Sequence, residues 1–267
     1  MRSSGCARWQ SPDGCLIAPT PEAEARRDLA AAREGRLLLS RLDAWLLDQA
    51  RPYLGRRVLE IGCGHGNLTR LLLDREQVVA IDVDPDSVRV MRERFGGDAN
   101  VTPLIEDITS PGALALRRFD LDTAISVNVL EHIADDMTAL RHIHEIVAPG
   151  GHVIAVAPAH PWLYGSMDRA VGHYRRYTRA SLRARLDEIG AQVVVIGYTN
   201  MLGALGWWLH GKVLRRRGPQ PAQLRAFDRL VPLLRRIEGR LGAPFGLSVV
   251  SVSKKRPAPL QATGAFS

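Results

Sequence analysis

The chain has 267 residues, enough for one large domain or two small ones, and 46% of them are apolar, enough for a sizeable core. No apolar run approaches the ~20 residues of a membrane-spanning helix. Met1–Thr20 lacks the continuous apolar stretch of a secretory signal, and Cys6, Cys15 and Cys63 are too few and scattered for a disulfide framework or a zinc site, so a cytoplasmic location is expected.

Residues 1–20 are polar, punctuated by Gly and Pro and without period, which predicts a disordered extension. From Pro21 to Tyr53 apolar residues recur at helical spacing, as one or two amphipathic helices. A regular alternation follows. Arg57–Ile61 reads as a first strand, then comes a glycine-rich turn and the helical stretch Leu68–Arg75. Val78–Val83 is a second strand, and Asp84-Pro85 starts a helix with Asp as N-cap and Pro in its first turn. Val101–Ile105 and Thr123–Val127 are a third and a fourth strand. Asp136–Val147 is helical and stops at Pro149-Gly150-Gly151. His152–Ala157 is a fifth strand, Arg179–Ile189 a helix, Gln192–Tyr198 a sixth strand and Leu247–Ser253 a seventh. Strands alternating with helices imply an α/β fold, a largely parallel sheet with helices on both faces. The reading is one domain over 21–253 and a disordered tail over 254–267.

Roughly fifty residues of helical sequence separate the last two strands. Within residues 201–240, nine Lys/Arg stand against Asp228 and Glu238, most of the net charge of +8. Segments leaving the C-terminal ends of parallel strands lie over the ligand crevice, so 158–177 and 200–245 are both expected to form a substrate lid. The basic, Trp-containing segment also suits a helix lying on an anionic membrane. RNA binding is less well supported, because no recognised RNA-binding module accompanies the charge.

The strongest motif is Val58-Leu59-Glu60-Ile61-Gly62-Cys63-Gly64-His65-Gly66-Asn67, a strand entering a glycine-rich turn where backbone can approach a ligand closely. Its G-x-G-x-G spacing differs from the G-x-G-x-x-G of dinucleotide sites and favours S-adenosylmethionine (SAM) over NAD. Asp82 ends the second strand, where a carboxylate can accept both ribose hydroxyls. Glu106-Asp107-Ile108 follows the third strand, where an acid can accept an adenine amino group. Asn128 follows the fourth strand and leads into Val129-Leu130-Glu131-His132.

These runs, with Ser126–Asp136 (S-V-N-V-L-E-H-I-A-D-D), resemble the successive motifs of class I SAM-dependent methyltransferases of the broad methyltransferase-11/12 type. The resemblance covers about residues 45–200. It implies a Rossmann-like sheet in the order 3-2-1-4-5-7-6, with the seventh strand antiparallel and a helical insertion before it. It also implies SAM as cofactor, with Glu60, Gly62, Gly64, Asp82, Asp107, Ile108 and Asn128 lining its site. Residues 158–177 and 200–245 further resemble a bacterial subgroup that carries a G-H-Y-R-R-Y-T run.

Methyl transfer to a hydroxyl benefits from a base that removes the proton. The 158–177 loop offers His160, Tyr164, Asp168, His173, Tyr174 and Tyr177, of which His173 and then His160 are the preferred candidates. Arg175 and Arg176 could instead anchor the loop on carboxylates. His142, His144 and His152 have no metal-binding spacing. The expected function is O-methylation of an apolar or lipid-like small molecule. An RNA or protein methyltransferase and an NAD(P)-dependent oxidoreductase are the alternatives. Oligomeric state is not encoded legibly.

Overall fold

A computed structural model describes residue 31 and residues 34–256 except 217. The expected extension over 1–20, the start of the expected domain and most of the expected tail lie outside the described residues. Among the described residues seven strands are formed: β1 (Arg57–Ile61), β2 (Gln77–Asp82), β3 (Val101–Ile105), β4 (Thr123–Val127), β5 (His152–Pro158), β6 (Gln192–Thr199) and β7 (Ser248–Lys254). They lie in the order β3-β2-β1-β4-β5-β7-β6, and β7 runs antiparallel to both β5 and β6. Each strand begins and ends within one residue of its sequence expectation. β7 passes the expected boundary, and Lys255 beyond it donates its Nζ to the carbonyls of Glu145 and Val147.

The helices are α1 (Ser40–Ala50), α2 (Pro85–Phe95), α3 (Asp136–Ile146), α4 (Ser166–Ala170), α5 (Arg179–Glu188), α6 (Met201–Trp208) and α7 (Pro221–Leu241). Alternate strand residues serve opposite faces. Leu59, Ile61, Val79 and Ile81 pack with Leu140 and Ile143 of α3 and Leu182 and Leu186 of α5. Val58, Val78 and Ala80 pack on the other side with Leu47 of α1 and Met91 and Phe95 of α2. Coverage of both faces is why β1 and β2 are almost continuously apolar. The Asp84 side chain accepts from Ser87 N and Pro85 occupies the first turn of α2, as the sequence predicts.

Two expectations change. The stretch Leu68–Arg75 is not an α-helix; only Thr69–Leu71 forms a 3₁₀ turn. The chain must travel back along β1 before β2 starts at Gln77. A five-residue strand is ~16 Å long, whereas eight helical residues at ~1.5 Å each span only ~12 Å. A looser 3₁₀-type path covers more distance per residue. The insertion is also not one lid. α7 lies on the sheet face, where Val231 joins Leu39, just before α1, and Leu42, Trp45 and Leu46 of α1 over Val156 and Val250. α6 and the π-helical turn Leu209–Val213 that continues it reach the 158–177 loop, where Trp207 Nε1 donates to Asp168 and Ser166 Oγ to the Gly211 carbonyl.

Candidate functional site

The glycine turn is pinned to β2, since Gly62 N and Cys63 N both donate to the Ile81 carbonyl at 2.8 and 3.0 Å. Gly62, Gly64 and Gly66 have φ of 70°, 51° and 80°, the left-handed region that disfavours a Cβ. Their surroundings differ. A Cβ on Gly62 would meet Val129 Cγ2 at 2.4 Å, and one on Gly66 would meet Phe95 Cε2 at 2.3 Å, so these two permit tight packing. A Cβ on Gly64 would meet nothing within 4 Å. Gly64 therefore faces open space, where a ligand can approach its backbone.

Asp82, 9% exposed, stands beside that space. Its Oδ2 accepts from Gly64 N and its Oδ1 from Asp84 N, both at 2.9 Å. The carboxylate thus shapes the turn, and its remaining lone pairs suit a diol. Asn128 holds a left-handed φ of 55° at the tip of β4, with its N–H donating to the Val156 carbonyl. Asp107 is exposed, and its Oδ1 accepts from Thr109 N and Oγ1 at 2.8 and 2.7 Å. Ile108 is buried in the core, and its carbonyl contacts His142 Nδ1. Glu60 lies beneath the turn, 2% exposed, where its Oε2 accepts from Thr69 Oγ1 at 2.6 Å. Burial, with Asp82 nearby, pushes the Glu60 carboxyl up to about 8 against the opposing Thr69 bond. Cys63 is buried too, which holds its thiol protonated. The open approach to Gly64 and the free acceptor capacity of Asp82 fit the amino-acid tail and ribose of SAM.

The second centre lies along the G-H-Y-R-R-Y-T run, whose residues are stapled to the segment after β4. Tyr174 N donates to the Glu131 carbonyl, Arg175 pairs with Asp136 at 2.8 Å, and Tyr177 donates its hydroxyl to Asp136 at 2.7 Å. Asp168 is the node. Its Oδ1 meets His173 Nδ1 and Arg176 Nε, each at 2.8 Å, and its Oδ2 accepts from Gly165 N at 2.9 Å and Trp207 Nε1 at 3.1 Å. Burial raises the Asp168 pKa, but the His173 bond and the Arg176 charge outweigh it and hold the group down to about 2. Arg176 also lies over the Trp207 ring, 5.0 Å from its centroid.

With Nδ1 directed at Asp168, His173 turns Nε2 towards Glu131, 3.8 Å from Oε1, and its ring meets His132 edge-on at 4.6 Å between centroids. Glu131 is fully buried, and neither carboxylate oxygen has a hydrogen-bond partner. Burial pushes it up to about 8, against the charges of Arg176 and Arg36. Glu131, His132 and His173 offer ligand atoms within 4.8 Å of one another, a spacing that would also admit a cation. The sequence offers Asp168 and the two arginines as candidates, but gives Glu131 no role beyond its place in the run after β4 and does not reveal the tie to Trp207. An arginine pair between apolar and aromatic residues was the available signal, because a buried guanidinium requires an acid.

His160 occupies a different environment. It has φ 61°, stacks on Tyr198 at 4.4 Å and lies 5.6 Å from Trp162. Burial, then the charges of Arg176 and Arg179, lower its pKa. Trp162 with Ala204, Leu205, Trp208 and Phe245 lines an apolar groove of about 290 Å³. Trp207 is turned away from this groove into the polar node.

A methyltransferase-domain family model matches residues 24–196. The chain belongs to the methyltransferase-domain family. This assignment agrees with the class I SAM-dependent motifs and sets aside the NAD(P)-dependent oxidoreductase alternative. A ubiquinone biosynthesis O-methyltransferase of Aeromonas salmonicida is 31% identical over 114 residues, 42% of this chain and 47% of that protein. An uncharacterized methyltransferase of Mycobacterium tuberculosis is 34% identical over 119 residues, covering 44% and 58% respectively. The chain thus spans about half the length of the curated relatives it matches. Two solved structures share its fold. The [4+2]-cyclase SpnF has a TM-score of 0.57 at 17% identity, over 91% of this chain and 98% of that one. A sarcosine dimethylglycine methyltransferase homologue from Galdieria sulphuraria has a TM-score of 0.55 at 17% identity, over 81% and 86%.

Proposed function

We propose that this methyltransferase transfers the methyl group of SAM to a hydroxyl on an apolar or lipid-like small molecule, with His173 as the base. The observation that carries the reading is the Asp168–His173 hydrogen bond of 2.8 Å beside the β4 tip. A buried carboxylate on Nδ1 fixes the ring and directs Nε2 to accept a proton. His160, surrounded by aromatic rings and arginines, is given a packing role beside the groove.

SAM supplies a methyl carbon already activated on a sulfonium. Asp82 and the Gly64 backbone hold it, and the apolar part of the acceptor lies along Trp162, Leu205 and Trp208. As the acceptor oxygen takes the methyl group that bound SAM would supply, leaving S-adenosylhomocysteine, His173 Nε2 would take the hydroxyl proton. No anion builds up in this step, because the positive charge of the sulfonium ends on the His173 imidazolium, so orientation and exclusion of water contribute most. Trp207, tied to Asp168, clasps the α6 lid onto the 158–177 loop that carries the base. The O-methyltransferase names among the relatives support an oxygen acceptor.

Turnover on a panel of hydroxylated aromatic and isoprenoid lipids tests the proposal. His173→Gln should lower turnover ~10²–10⁴-fold with SAM affinity retained, whereas His160→Gln should cost far less. EDTA should leave turnover unchanged. Loss in EDTA that is restored by a divalent cation would reassign Glu131, His132 and His173 as cation ligands and remove the base.

A further inference from the structure

α7 carries two apolar stripes, and only one of them is used by the fold. Leu224, Phe227, Val231 and Leu234 face α1 and the sheet. Leu230, Leu233 and Ile237, spaced three and four residues apart and about 100° round the helix from that stripe, are 47%, 56% and 42% exposed. Arg225, Arg229, Arg236 and Arg240 are exposed around them. Leu233, Arg236, Ile237 and Arg240 line an open groove of about 460 Å³, so apolar and cationic groups share one surface.

Among the described residues the charge on this side is uncompensated, because both acids of α7 are turned inward. Asp228 Oδ1 accepts from Arg41 N and Leu42 N at 2.9 and 3.0 Å. Glu238 accepts from Asn200 N and Met201 N at 2.9 and 2.6 Å. Arg235 pairs with Asp48. Arg225, Arg229, Arg236 and Arg240 have no acidic partner among the described residues.

Three chemistries could meet such a face. A nucleic acid would neutralise the arginines but leave the branched apolar side chains without a function. A second copy of this chain would set the arginines against themselves in a two-fold contact. An anionic bilayer satisfies both sets at once: apolar side chains enter the boundary between headgroups and acyl chains, and arginines meet phosphates. The 21 residues of α7 give it a length of ~31 Å in the interfacial plane.

We infer that the outward face of α7 docks the protein on an anionic phospholipid surface. The inference uses none of the groups assigned to methyl transfer, so it stands or falls separately from the proposed reaction. Cosedimentation of the full chain with phosphatidylcholine vesicles, with and without phosphatidylglycerol, tests it. Binding should require phosphatidylglycerol and weaken sharply with salt. Each arginine removed should lower partitioning about fivefold, so Arg229→Ala/Arg236→Ala should lower it about 25-fold. Leu230→Ser/Leu233→Ser/Ile237→Ser should abolish binding with the melting temperature and SAM affinity retained. Equal binding to both vesicle types, or unchanged binding by both variants, would overturn the inference. So would a self-association removed by the triple variant, or binding to RNA that accounts for all the salt-sensitive affinity.

Discussion

Asp168→Asn replaces a carboxylate that serves four donors, Gly165 N, His173 Nδ1, Arg176 Nε and Trp207 Nε1. An amide has one acceptor oxygen, so in either orientation its NH₂ faces two of those donors. The variant also strands the fully buried Arg176 guanidinium without its charge partner. Removing one member of a buried pair costs ~3–5 kcal/mol, which for a domain of this size lowers the melting temperature by ~6–20 °C. There is a second signature. The folded pKa of about 2 lies below the unfolded value of 3.8, so Asp168 contributes stability above about pH 4 that is lost as pH falls through about 2. That contribution is ~2 kcal/mol at ~1.4 kcal/mol per unit. Urea denaturation from pH 7 down to 2.5 should show the steeper acid loss in the wild type and a flatter profile in Asp168→Asn. A variant within 1 kcal/mol of wild type at pH 7, or one with the same acid slope, would refute the reasoning that makes Asp168 the node.

The glycine turn makes a paired prediction. Gly64→Ala should fold with a loss of only ~1–2 kcal/mol, from its left-handed φ, yet bind SAM at least tenfold more weakly by calorimetry. Gly62→Ala, which collides with Val129, should instead fail on stability. Asp82→Ala should weaken SAM binding by ~1.5–3 kcal/mol, the scale of hydrogen bonds to a charged group. Glu60 has the opposite pH sign to Asp168. Its folded pKa of about 8 exceeds the unfolded 4.5, so its contribution is complete below about pH 4.5 and lost as pH rises through about 8. Glu60→Gln keeps an acceptor for Thr69 and should flatten stability between pH 5 and 8, as denaturation series would record. Trp207→Phe keeps the ring but loses the bond to Asp168. It should lower acceptor turnover and leave SAM affinity unchanged in the same calorimetric assay.

The strands were legible because each is a short apolar run bounded by turn residues, and because burial on both faces removes any need for polar alternation. The α2 start was legible for a local reason, Asp84 and Pro85 acting within one turn. Leu68–Arg75 misled because Leu68, Leu71 and Leu72 have helical spacing, while the distance back to β2 that forbids a helix is a property of the sheet. Gly62, Gly64 and Gly66 were found as a motif, but their three different duties depend on Val129, Phe95 and empty space. The polar node was least legible. Glu131, Asp168, Arg176 and Trp207 come from four separate segments, and no local pattern announces that they converge. The two stripes of α7 are equally apolar in sequence, so nothing there states which one meets α1.

The inward turn of Asp228 has a consequence for the order in which this chain assembles. Its carboxylate caps the first turn of α1 across 187 residues of sequence, and Leu39 at the N-cap position makes no side-chain cap bond. During synthesis α1 leaves the ribosome long before its cap exists. Leu39, Leu42, Trp45 and Leu46 then have no Val231, Leu224 or Phe227 to cover them. Contacts this distant in sequence form late, after the loop-closure entropy of everything between them has been met. The strands from β1 to β5 can pair as they emerge, while α1 waits for the arrival of α7. Asp228→Ala should therefore loosen the first turn of α1, on the far side of the sequence, while the strands still pair.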